Sequence, residues 1–311
     1  MKTVVPTIYG GVTMSALRHG TNINFSNDNS LLNKVVRQQA GIKDTLENVI
    51  PSVPIYENGE TSLIKNRYFI IGSGMHVPSN DPTKPAYFNA LPHRPTDSGP
   101  VLWLPFKLIP FGSQDITGTE RQKYVMRRYI RINGINYIGY WIKRMPLSSS
   151  AVPGMFSYIV QNGVKQPSVA YEPSTTDMTP SRPVLSNGQL PNTGRYYEAK
   201  LPIELTFTAD EVNDLREVAA IMFNDPNSAV ISEIGYVYGI ERGTAQSKNF
   251  TYFTDPTNPA SSATNSDPNS IELAAAHVGC WHSLAKQVSQ DADLVINLNI
   301  GATEPEFQVD E

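Results

Sequence analysis

The sequence has a single cysteine, Cys280, among its 311 residues, so no internal disulfide can staple the fold. A lone thiol fits a reducing folding compartment, and the chain is expected to fold in a cytoplasm. Charge is also scarce: Asp, Glu, Lys and Arg make up 17% of the chain, against about 25% in an ordinary soluble protein. That scarcity excludes a disordered charged tail, because disorder requires high charge and few aromatic side chains. The net charge is −4 and the pI about 5.8. No field of one sign therefore draws the chain to nucleic acid or anionic lipid, and neither is expected as a partner. No window approaches the roughly 18 apolar residues of a membrane-spanning helix. The opening MKTVVPTIYGGVTMSALRHG also lacks the apolar core of a signal peptide.

What the chain does have is 24 Pro, 24 Asn and 15 Tyr. Proline and asparagine work against long helices, so a helical bundle is excluded. At roughly 150 residues per domain the length suits about two domains, large enough to hold a core without disulfides or metals. The expected fold class is α+β and β-rich, with antiparallel hairpins and sheet, a few short helices and long ordered loops.

Three consecutive segments are expected. Residues 1–65 form an N-terminal arm with short helices: the Asn27-Asp28-Asn29-Ser30 cluster can cap a helix carrying Leu31, Leu32, Val35 and Val36, and Leu46, Val49 and Ile50 resume the pattern before Pro51. Residues 66–197 form a β-rich domain with hairpins. RYFIIG at 67–72 has the composition of a strand, and a proline-rich loop over 73–100 follows it. Asn133-Gly134 is the preferred two-residue turn between KYVMRRYIRI and INYIGYWIKR. It pairs Ile132 with Ile135, Ile130 with Tyr137 and Met126 with Trp141. Arg127, Tyr129, Arg131 and Tyr140 then share the opposite face. A second Asn-Gly at 162–163 marks a second hairpin. Residues 198–311 form an α+β domain. YEAKLPIELTF reads as a strand, and Thr208-Ala209-Asp210-Glu211 is a capping box for a helix buried through Val212, Leu215, Ala219 and Met222. Asp225-Pro226 ends that helix, and AVISEIGYVYGIE is the next strand. A polar loop at 241–270 leads to a closing helix at 271–288, capped by Ser270 and buried through Ile271, Ala275, Val278 and Leu284. LVINLNI is the last strand.

The search for chemistry ends without an active site. His277-x-x-Cys280-x-His282 resembles a metal cluster, but on a helix His282 lies about 140° round from His277, so the three do not converge. Ser283-x-x-Lys286 lacks the companion motifs of serine acyltransferases. Gly72-Ser73-Gly74 lacks the nucleophile-elbow pattern, and His76 is too close in sequence to serve as an independent base. Asp291-Ala-Asp293 reads as a solvated pair, and no phosphate-cradling glycine loop is present. No catalytic residue, metal ligand, cofactor or small-molecule substrate is expected. The one concentration of charge is Arg121, Lys123, Arg127, Arg128, Arg131, Lys143 and Arg144. It straddles both hairpin faces, which suits a solvated or subunit-contacting hairpin better than a nucleic-acid stripe. Arg127, Tyr129, Arg131, Tyr140 and Trp141 are the candidate interface residues.

The 205–240 block, with its strand, capped helix, Asp-Pro-Asn turn and Ile-Ser-Glu-Ile-Gly strand, resembles segments of virion structural proteins of tailed bacteriophages. The 66–144 order is similar to tail and baseplate wedge proteins. It runs through YFIIGSG, a loop ending PHRPTDSGP and the hairpin MRRYIRINGINYIGYW. The resemblance implies a non-enzymatic assembly part, built in the host cytoplasm, carried in the virion, and packed against copies of itself and other tail or baseplate proteins. Residues 1–50 would be an arm exchanged between copies. The alternatives are a neck or capsid-associated structural protein and a carbohydrate-binding module stacking sugars on exposed Tyr and Trp of the 73–100 or 241–270 loops, with binding lost on Trp103→Ala or Trp141→Ala. A hydrolase using Ser73 or Ser283 is a further one.

Overall fold

The computed structural model describes residues 4–6, 56–57, 60–61, 65–78, 88–116, 118–146, 154–171, 194–243, 254–255, 258–262, 271–288 and 292–305. The fold is β-rich α+β, as its turn signals and β-forming runs indicate. It divides into two compact units, each discontinuous in sequence: Met1–Met145 with Phe207–Leu294, and Pro146–Thr206 with Val295–Glu311. This division departs from the three consecutive segments expected above, because strands distant in sequence pair within each sheet. The helices expected before Pro51 lie outside the described residues, as does most of the proposed arm.

Strands are numbered in chain order. The first unit holds an eight-stranded sheet in the order β1 (Val4–Pro6), β18 (Ile271–Gln287), β15 (Val230–Gly243), β4 (Lys65–Gly72), β10 (Ile135–Arg144) and β8 (Lys107–Pro110). In the same sheet β7 (Trp103–Leu104) pairs with β4, and β9 (Tyr124–Ile132) with β10. Three small ladders accompany it: β2 (Tyr56–Glu57) with β3 (Glu60–Thr61), β5 (His76–Pro78) with β6 (Phe88–Ala90), and β16 (Thr254–Asp255) with β17 (Asn258–Ser262). The 73–100 and 241–270 loops are therefore partly strand.

Tyr68, Phe69, Ile70 and Ile71 of β4 are all buried. A strand covered on both faces reads as a continuous apolar run, not an alternation. Two helices are described, α1 (Gly118–Arg121) and α2 (Ala209–Phe223). Helix α2 opens as the capping box requires: Glu211 N donates to the Thr208 side chain at 3.4 Å, and Thr208 N donates to the Glu211 carboxylate at 3.3 Å. It buries Val212, Leu215, Val218 and Ala219; each of the three larger side chains contributes about 1.5–3 kcal/mol of apolar burial. Met222, expected inside, is only half-buried. Asn224, in the left-handed conformation at φ 59°, ends the helix.

The closing helix expected over 271–288 is instead strand β18. Its Ala-rich sequence favours helix intrinsically, but its backbone pairs with β15 from Ile271 opposite Gly243 to Gln287 opposite Val230. Leu273, the run from Ala275 to Val278, and Cys280 to His282 are all buried, where an amphipathic helix would expose one side. Tertiary pairing overrides propensity here. Register shifts along the ladder, and Ala275 at φ 52°, break the period of two that would have marked a strand.

The second unit is a five-stranded sheet in the order β12 (Val164–Lys165), β11 (Gly154–Gln161), β14 (Gly194–Phe207) and β19 (Leu294–Pro305), with β13 (Val169–Ala170) also on β11. Asn162 and Gly163, at φ 50° and 74°, make the second expected hairpin turn. The closing strand is found as expected. Ile203, Leu205, Ile296 and Leu298 are buried, while their neighbours Glu204, Thr206, Val295 and Asn297 are exposed. The strand–helix–strand run at 198–240 does not stay together as one α+β unit, since β14 joins this sheet and β15 the larger one.

Candidate functional site: a basic hairpin and a clamped strap

In the β9–β10 hairpin, Asn133 and Gly134 adopt φ 49° and 83°, and Ile132 opposes Ile135 and Ile130 opposes Tyr137 as the turn dictates. Met126 opposes Ile142, not Trp141, because the register shifts between Tyr140 and Ile142. Residues 137–143 of β10 are buried without a break, so both faces of the strand are covered, and Tyr140 and Trp141 are both 0% exposed. The Tyr140 hydroxyl donates to Asp115 Oδ1 at 2.5 Å, and the Trp141 ring meets Trp103 edge-on at 5.2 Å. Both are core residues of their own unit, which corrects their assignment to an interface. Trp103 is equally buried, so neither tryptophan offers a platform for a sugar ring.

Asp115 gathers Arg127 as well, with Nε at 2.9 Å and the guanidinium at 2.7 Å. Arg131 stays exposed and donates to the Gly134 carbonyl at 3.2 Å. Tyr129 pairs with Ile138, and its side chain lies outside the described set. The structure thus brings Arg127 and Tyr140 together through Asp115 and leaves Arg131 apart.

Much of the remaining basic cluster is internal. Arg121 and Arg128 are buried and donate to the Tyr124 and Arg127 carbonyls. Lys143, also buried, donates to Glu211 at 2.7 Å under the rings of Phe207 and Phe106. Lys123 reaches the same carboxylate at 3.2 Å, while Lys107 bridges Asp214 at 2.8 Å and Glu120 at 3.3 Å. Burial pushes the Lys143 ammonium down despite Glu211. Burial would push Glu211 up, but Lys143 and then Lys123 outweigh it and hold that carboxyl below its usual range. These charges tie α2 to the strands beneath it.

The second constellation escaped sequence reasoning. Residues 91–102 form a strap held at both ends by backbone bonds, Leu91 N to Met75 O at 2.9 Å and Ser73 N to Leu102 O at 2.8 Å. Near its start His93 is buried between two carboxylates: Nδ1 lies 3.0 Å from Asp97 Oδ2, and Nε2 lies 3.1 Å from Glu233 Oε2. The first is an aligned hydrogen bond; the second is a close approach without hydrogen-bond alignment. The imidazole stacks on Trp281 at 4.2 Å, and Trp281 Nε1 donates to the Asp97 carbonyl at 3.0 Å. Glu233 also accepts from Gly74 N at 3.1 Å and Val101 N at 3.2 Å. Gly72 is required beside it, since a Cβ there would lie 2.5 Å from Glu233 Oε1.

This cluster works mechanically, fastening a loop to the middle of a sheet. Both His93 nitrogens face carboxylates, so the ring is not presented as a base to Ser73, which is itself buried. Ser283 and Lys286 lie on strand β18, not on the helical turn their spacing suggested. The geometric argument for His277, Cys280 and His282 also changes with the strand: they oppose Tyr238, Tyr236 and Ile234 in turn. No group of three or more His, Cys, Asp or Glu side chains placed to hold a metal ion is found among the described residues. One sequence signal could have exposed the strap, namely a glutamate inside the apolar strand AVISEIGYV, where a carboxylate needs dedicated partners.

No curated protein and no solved structure matches the chain. A family model does match it, over residues 1–311, and the chain accordingly belongs to DUF7208, a family of unknown function.

Proposed function

We propose that the chain is a non-enzymatic structural subunit of a tailed-phage particle, placed in the tail or baseplate and acting by assembly with copies of itself and other virion proteins. The observation that carries this reading is the five-stranded sheet of the second unit. A sheet normally hides at least one apolar face beneath another layer. Among its described residues, Met155 and Val169 stand exposed on one face, beside the half-exposed Tyr171–Tyr197 pair. Phe156 and the stacked Tyr158–Tyr196 pair are half-exposed on the other. Apolar surface left open on both sides is what another chain would cover. The clamped strap and the internal ionic network add support, because both rigidify the first unit without presenting reactive groups.

Particle assembly would take place in the host cytoplasm, with the virion as the destination. The reading predicts that the chain is found by mass spectrometry among the proteins of purified tailed particles. Its absence there, with known tail proteins detected, would refute the proposal. Cross-linking within the same particles separates a tail or baseplate position from one at the neck or capsid.

A further inference from the structure

We infer that β19 is a seam at which two copies of this chain pair antiparallel, across a two-fold axis at Leu298. The strand ends the order of its sheet, so along its outer edge no strand satisfies the backbone among the described residues. Proteins blunt such edges with charges, prolines or very short strands, since an open edge is a template for another strand. In the first unit the outer strand β9 carries Arg127, Arg128 and Arg131, and β8 is only 4 residues long and ends at Pro110. By contrast β19 runs for 12 residues with no proline before Pro305. No charged residue falls between Asp293 and Glu304.

Its sequence identifies the occupant. Ile296-Asn297-Leu298-Asn299-Ile300 reads the same in both directions. In an antiparallel register centred on Leu298, position 296 opposes 300, 297 opposes 299, and 298 opposes itself. The window closes with 294 opposite 302, inside the two flanking carboxylates. Strand side chains alternate with a period of two, so such a palindrome sets aliphatic against aliphatic and amide against amide, with the longest unbroken match in the register centred on Leu298. A slip by one residue would set asparagine against leucine or isoleucine and lose the match. A contact between identical patches is isologous and closes at two copies. The seam specifies one contact within the assembly reading above, but it does not depend on where in a particle the assembly sits.

Analytical ultracentrifugation over a concentration series tests it. Wild type is expected at twice the 34.3 kDa of one chain, or at an even multiple built from such pairs. The N297K/N299K variant sets lysine against lysine twice at the seam and should halve that mass. N297K/N299E sets lysine against glutamate twice and should keep it, with circular dichroism showing both variants folded. If the double-lysine chain does not fold, cysteine pairs replace it. Oxidised N297C/N299C should then give a covalent dimer and N297C alone should not, since its thiol would face Asn299 and native Cys280 is buried. A monomeric wild type, an unchanged mass for folded N297K/N299K, or no cross-link in N297C/N299C would overturn the seam. Persistence of an oligomer in the second case leaves the assembly reading standing. Absence of the chain from purified particles defeats that reading without touching the seam.

Discussion

Glu233 is the residue on which the strap depends, because it is fully buried and serves His93, Gly74 and Val101 at once. Losing one of its acceptor oxygens leaves a buried backbone N–H without its partner, at a cost of about 1–3 kcal/mol. Glu233→Gln is therefore expected to lower the unfolding free energy measured in urea by that order. In a double-mutant cycle with His93→Gln, the two losses should fall well short of adding. A strictly additive pair would mean that the ring and the carboxylate do not depend on each other. At this scale the sequence displayed the participants, a histidine in a proline-rich loop and a glutamate within an apolar strand, but not their meeting. They lie 140 positions apart, and only the pairing of β15 with β4 brings the strap over Glu233.

At the scale of elements, the β9–β10 hairpin is governed by its turn. Gly134 sits at φ 83° with nothing near the position a Cβ would take, so the cost of a side chain there is conformational, not steric. Gly134→Ala should destabilise by about 1–2 kcal/mol, the penalty for an L-residue forced into left-handed backbone. Chemical denaturation measures it, and an unchanged midpoint would show that the turn does not dictate the register. Two strongly local signals, Asn-Gly and the Thr208–Glu211 capping box, were legible because every atom they need lies within a few residues. Strand β18 was not. Its alanines and the helix-like spacing of its apolar residues obey intrinsic preference, whereas its actual state follows from a long, bulged ladder with β15. The interface assignment of Tyr140 and Trp141 failed for a related reason: distant segments cover both faces of β10, which is buried without a break over 137–143.

For the molecule as a whole, acid sensitivity should come from groups buried in the first unit. Burial pushes the His277 imidazole down to about 4, from an ordinary 6.5. The unfolded chain therefore binds more protons between those values, and stability falls as the pH drops from about 6.5 towards 4. The loss amounts to about 3 kcal/mol at the lower end. Glu211 acts in a lower window: its carboxyl is depressed in the fold, so its contribution is present above an ordinary value of 4.5 and is lost as the pH falls further. Folding free energies measured across this range should decline in both windows. His277→Leu should flatten the upper part, and Glu211→Gln should flatten the lower. A profile that His277→Leu leaves unaltered would show that the imidazole is hydrated in the fold.

The sequence by itself determined the class, the turns and the cap: scarce charge, abundant Pro and Asn, two Asn-Gly turns and one capping box all act over a few residues, where local chemistry decides. It also contains the β19 palindrome, whose meaning appears only once that strand is seen at an edge. Tertiary structure alone decided that residues 271–287 are strand and that β14 and β15 part into different sheets. It also decided that the basic hairpin is largely neutralised from within and that His93 lies between two carboxylates. Each of these outcomes rests on contacts between distant segments, where burial and ladder pairing outweigh the roughly 1 kcal/mol preferences that a residue carries alone.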